Sequence, residues 1–167
     1  MAASLQFRLT GGASNSDPDA SLGGVMSSNQ VSSTSLNNLF DNVEADEATS
    51  GDTEYRMIDI YNAGDATATS VEIYFSSQTS SADTSIELGE DATNNPHLAA
   101  ASLEVLANES TAPASPAVSF SAYTSASSLS LDDIPAGSAA RICLKRIVSS
   151  SAGNTSSDTC QIEVVFA

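Results

Sequence analysis

Apolar and polar residues alternate along this chain with a period of two in several short runs, the signature of strands that bury one face. Residues 69–77 show it most cleanly: Val71, Ile73 and Phe75 fall on one side, Glu72 and Tyr74 on the other. Comparable runs at 53–62, 85–88, 103–106, 118–123, 129–131, 139–148 and 158–166 follow one another at the spacing of a sandwich or barrel, and residues 5–10 form one more ahead of them. Pro113 and Pro116 fall between runs, where a missing N–H does no harm. IPAGS at 134–138 supplies a turn before a long strand, as in Ig-like and jelly-roll sandwiches. The pattern predicts an all-β protein: a single antiparallel β-sandwich, Ig-like or jelly-roll-like, of about eight or nine strands.

The run at 53–62 differs from its neighbours because both of its faces carry apolar residues. Ile58 and Ile60 share one face, and Tyr55, Met57 and Tyr61 occupy the other. The second face needs a cover, either a loop or arm of the same chain or a neighbouring subunit, since Tyr and Met are enriched in interfaces. Tyr55, Met57 and Tyr61, with Leu39 and Phe40 from the apolar knot SLNNLFDNV, are the candidate interface residues.

Before residue 51 the pattern is irregular. Gly11, Gly12, Asp17, Pro18, Gly23 and Gly24 demand repeated turns. Leu36, Leu39, Phe40 and Val43 then recur at helical spacing behind Ser35, a possible cap, which predicts a short helix over 36–43. Residues 1–50 are therefore expected as a strand, a Gly-rich arm or long loop, and a short helix lying on the sandwich or reaching another subunit. Residues 51–167 form its core.

At the C-terminus, 139–148 and 158–166 are expected to pair as a hairpin. Matching their apolar faces puts Ile142 and Leu144 with Ile162, Val164 and Phe166, so Cys143 and Cys160 point to opposite sides. Two free thiols are expected, with Arg141 or Lys145 opposite Glu163. No metal-ligand spacing links the two cysteines with His97, the one histidine, which sits in a Pro-containing turn and is expected on the surface.

Composition narrows the partners. Five basic residues stand against 21 acidic ones, a net charge of −16. Such a surface repels phosphate backbones and anionic lipid, so neither nucleic acid nor membrane is expected as a partner. The charge serves solubility by self-repulsion, or adaptation to a salty medium in which screening removes its cost. The start, MAASLQFRLT, has no basic-then-apolar leader pattern, and a protein made in solution is expected.

Candidate chemistry is sparse. One histidine in NNPHLAA, with no nucleophile-elbow glycines beside it, gives no Ser/His/Asp arrangement, and the glycine pairs lack the lysine of a phosphate loop. A Trp-free chain with four Tyr supplies few sugar platforms for a glycosidase. No enzyme and no organic cofactor are expected. Calcium is the one ion considered, at Asp17 with Asp19 or at Asp41, Glu44, Asp46 and Glu47.

Three stretches taken in order, SLGG at 21–24, NNLFDNV at 37–43 and GDTEYRMIDIYNAGDATA at 51–68, resemble a group of structural proteins of tailed bacteriophages. The likeness covers about the first 90 residues well, and the later SIELGED, the IPAGSAARICLKR strand and the final hairpin keep the same order of elements more loosely. The resemblance implies no catalytic residues, only positions that shape the fold: Gly23, Gly24, Phe40, Gly51, Asp52, Tyr55 and Arg56. It implies a virion location, with the outer capsid surface favoured after synthesis in the host cytoplasm. It further implies a decoration or cement protein, trimeric as such proteins commonly are, that binds the major capsid protein and stabilises the head. A tail, neck or baseplate component is the alternative, and a carbohydrate- or host-surface-binding module the second.

Overall fold

A computed structural model describes residues 2–167. In chain order its elements are β1 (Leu5–Leu9), α1 (Ala45–Ser50), β2 (Asp52–Asn62), β3 (Glu72–Ser77), β4 (Thr84–Glu90), β5 (His97–Leu98), β6 (Leu129–Ser130), β7 (Ser138–Val148) and β8 (Gln161–Val165). They form two antiparallel sheets. The larger runs β1-β2-β7-β4, with β5 paired to the start of β7, and the smaller runs β6-β3-β8. The expected all-β sandwich is what the chain forms, with little helix.

The core lies between the sheets because alternation points the right residues inward. Ile58 and Ile60 of β2, Ile142 and Leu144 of β7, and Ile86 and Leu88 of β4 meet Ile73 and Phe75 of β3 and Val71 just before it. Each buried Ile, Leu or Phe contributes about 1.5–3 kcal/mol of transfer free energy, so this layer carries most of the hydrophobic stabilisation. Asn62 closes the end of β2. Its Oδ1 accepts from the Ser4 and Gly64 N–H groups, and its Nδ2 donates to the Ala66 and Ile134 carbonyls, so a buried amide is fully satisfied.

Four expectations are corrected. First, β7 and β8 are not a hairpin: β7 pairs with β2 and β4, while β8 crosses to the other sheet and pairs with β3. Lys145 is bonded to Glu87 and Arg141 to Asp59, and Glu163 stands opposite Tyr74 instead. The thiols are free, as expected, and Cys160 packs against the main core while Cys143 lies in a second cluster with Met57 and Leu106. Burial pushes Cys143 up to about 12 and Cys160 to about 11, so neither is a thiolate near neutrality.

Second, residues 36–43 are not helical. Leu36 and Asn37 take positive φ of 71° and 52°, and the chain bends so that Leu39 alone enters the core. The helix starts later, at Ala45, where the Glu47 carboxylate accepts from the Glu44 N–H at 2.7 Å. Third, 103–106 and 118–123 are not sheet strands. Val105 makes a single bridge to Gly23, and residues 121–123 divide their bonds between the sheets, Ser121 with Leu88 and Tyr123 with Phe75. Fourth, His97 is not on the surface but buried at the head of β5.

The arm expected over the first 50 residues is folded in. β1 is an integral strand, in register from Leu5 opposite Asn62 to Leu9 opposite Ile58, and residues 27–31 run back beside it.

Candidate functional site

The two-sided character of β2 has an intramolecular answer on its outer face. There Met57 and Asp59 stand opposite Cys143 and Arg141 of β7. Residues 21–24 and 104–120 of the same chain lie over them: Met57 N–H donates to the Ser21 carbonyl at 2.8 Å, and Leu22, Leu106, Val118 and Phe120 pack on Met57 and Cys143. Approach this close requires glycine. A Cβ on Gly23, whose φ is +102°, would stand 2.1 Å from the Glu104 carbonyl oxygen, and one on Gly89 would stand 2.3 Å from that of Ser119.

Beneath this cover lies an ion network. Arg141 donates from Nε to Asp59 Oδ1 at 2.7 Å and from Nη2 to Asp59 Oδ2 at 3.1 Å, and Nη2 also reaches the Gly24 carbonyl at 2.8 Å. His97 Nε2 lies 3.1 Å from Asp59 Oδ1, and its Nδ1 lies 3.0 Å from the Leu98 carbonyl oxygen. Both ends of the Arg141–Asp59 pair are essentially without solvent, so the pair fixes the loops to the sheet and is inaccessible to a substrate.

The first half of β2 gathers a second network, on the face that carries Ile58 and Ile60. β1 does not reach this far, and residues 21 and 109 bond the open edge instead, Tyr55 N–H donating to the Glu109 carbonyl at 2.7 Å. Arg56 is fully buried and binds Glu109 at 2.7 Å, with Asp19 at 3.7 Å. Glu54 binds Arg146, which also donates to the Asp41 carbonyl and to Asp41 Oδ1. Phe40 lies under both guanidiniums, 5.4 Å from Arg56 and 5.1 Å from Arg146. Burial pushes Glu54 up to about 7 against the opposing pull of Arg146 and Arg56.

The candidate interface residues are thus dispersed. Leu39 and Met57 are buried by their own chain. Tyr55 packs on Phe120 with ring centroids 5.6 Å apart, Tyr61 carries the Arg8 guanidinium at 4.7 Å, and Phe40 is the clamp just described. Of the acidic sets considered for calcium, Asp17 is turned into its own loop, where it accepts from the Asp19 N–H, and Asp41 is committed to Arg146. Glu47 alone enters a convergent group, with Asp52 and Glu54.

What alternation did not reveal is the exposed part. Leu98, at the end of β5, and Val105, on a loop, are 71% and 64% exposed. Between β1 and residues 99–100 is a shallow hollow of about 330 Å³ lined by Arg8, Tyr61, Val25, Met26, Ala99 and Ala100. Among the described residues each of the five cations has an acidic or aromatic partner within the molecule, and these engage only Asp19, Asp41, Glu54, Asp59, Glu87 and Glu109. Fifteen of the 21 acids are left without a cation, so the outer surface is anionic. No described helix is long and apolar enough to cross a membrane. Comparison with protein-family models, with characterised proteins and with solved structures finds no match for this chain.

Proposed function

We propose that this chain is a virion structural protein of a tailed bacteriophage, a decoration or cement protein that binds the outer capsid surface and stabilises the head. One observation carries the reading. The three stretches that resemble phage structural proteins, far apart in the sequence, meet around the first half of β2. Residues 21–24 cover its outer face, Phe40 sits under Arg56, and Glu54 and Arg56 lie within the third stretch. Within this chain the three stretches therefore form one tertiary framework.

The surface fits a lattice-bound role. An anionic exterior bearing exposed Leu98 and Val105 suits a basic, partly apolar docking surface on the major capsid protein. Many copies on a lattice make modest single-site affinity sufficient, and a trimer would multiply it. Densitometry of purified particles tests this: a lattice role requires on the order of hundreds of copies per particle, whereas a tail, neck or baseplate role gives a few dozen at most.

A further inference from the structure

We propose that Glu47, Asp52 and Glu54 form a calcium site that ties α1 to the start of β2. A carboxylate oxygen of each lies within 4.8 Å of the other two, no farther than two oxygens at about 2.4 Å from one ion can stand apart. Clustered acids alone would be unremarkable on so acidic a chain. The independent sign is Glu54. Its side chain is 1% exposed, its Oε2 is taken by Arg146, and its Oε1 is buried with no hydrogen-bond donor. Arg56 Nη2 is 4.0 Å away from that oxygen, beyond hydrogen-bonding reach, and is committed to Glu109. A buried carboxylate oxygen without a donor is costly, and a hard cation is the ligand that satisfies it.

Local charge favours the ion. Glu47, Asp52, Glu54 and Asp41 outnumber Arg56 and Arg146, the cations in contact with Glu54. Calcium suits the place better than magnesium because it accepts irregular geometry and completes its shell with water. The position also gives the ion a structural task. α1 and β2 are separated by Gly51 alone, so a cation bridging Glu47 to Asp52 and Glu54 fixes the angle between helix and strand and with it the Phe40 clamp.

The test is thermal melting and calorimetric titration of the full chain with calcium chloride, against magnesium chloride and potassium chloride of equal ionic strength. About 5 mM calcium should raise the melting temperature by about 3–5 °C over the ionic-strength control, as expected for a site of sub-millimolar affinity. Glu47→Gln with Asp52→Asn should abolish that increment, while Asp65→Asn with Asp132→Asn, which removes equal charge from exposed residues outside α1, should keep it. Equal shifts with calcium and potassium, or equal losses in both double variants, overturn the proposal.

Discussion

At the scale of single residues the chain places charge where apolar side chains usually go. Asp59 is the sharpest case: Asp59→Asn leaves Arg141 buried without its counter-charge, and denaturant unfolding should show a loss of about 3–5 kcal/mol. Replacing Arg141 with Met in the same chain should recover part of that loss, since removing both charges is far less costly than stranding one. Gly23→Ala should cost about 2–4 kcal/mol, because φ of +102° and the Glu104 carbonyl both oppose a Cβ. Glu54 sets a pH slope. A carboxyl raised from 4.5 to about 7 on folding binds its proton more tightly in the native state. Its contribution therefore favours the fold at low pH and is lost as pH rises from about 4.5 to about 7. Unfolding free energy measured across that interval should fall less steeply in Glu54→Gln than in the parent chain. These buried charges were not legible in the sequence. Glu54 and Arg56 share the face of Ile58 and Ile60 while Asp59 shares that of Tyr55 and Met57, so alternation marks none of them as interior, and only the loops that close over them make them so.

At the scale of elements, alternation located the central strands well because their inner faces are unambiguous: β2, β3, β4 and β7 lie within or close to the runs that predict them. It could not give pairing. The apolar faces of β7 and β8 match equally well as a hairpin or as opposed layers of a sandwich, since both put Ile142, Leu144, Ile162 and Val164 in one core. The spacing of Leu36, Leu39, Phe40 and Val43 misled for a related reason. It shows that these residues share a direction, but a bent loop held by Leu39 and Phe40 meets that need as well as a helix turn. The two-layer arrangement has a direct check: Cys143 and Cys160 should both resist a thiol reagent in the native protein, and both should react after unfolding without reductant. A disulfide, or one thiol reacting at the rate of a free peptide, would contradict it.

At the scale of the whole molecule the candidate interface shifted. The extra apolar face of β2 was legible, and so was its need for a cover, but a sequence does not say whose loop supplies it. The structure brings residues 21–24 and 104–120 of the same chain over Met57 and Cys143, which leaves Leu98, Val105 and the anionic loops as the candidate surface for the proposed partner. Because every described cation is engaged internally, exposed acids repel one another without relief, and raising salt from about 0.1 to 1 M should raise the melting temperature by a few degrees. Under the proposed lattice role, the same charge would make docking on a basic surface salt-sensitive. Re-addition of the purified chain to phage heads stripped of it, followed by sedimentation and thermal challenge of the heads, tests the central claim most directly. The account predicts saturable binding that restores head stability, weakens with added salt and is reduced by Leu98→Ser with Val105→Ser. Failure to bind heads, together with recovery of the chain on isolated tails, would contradict it.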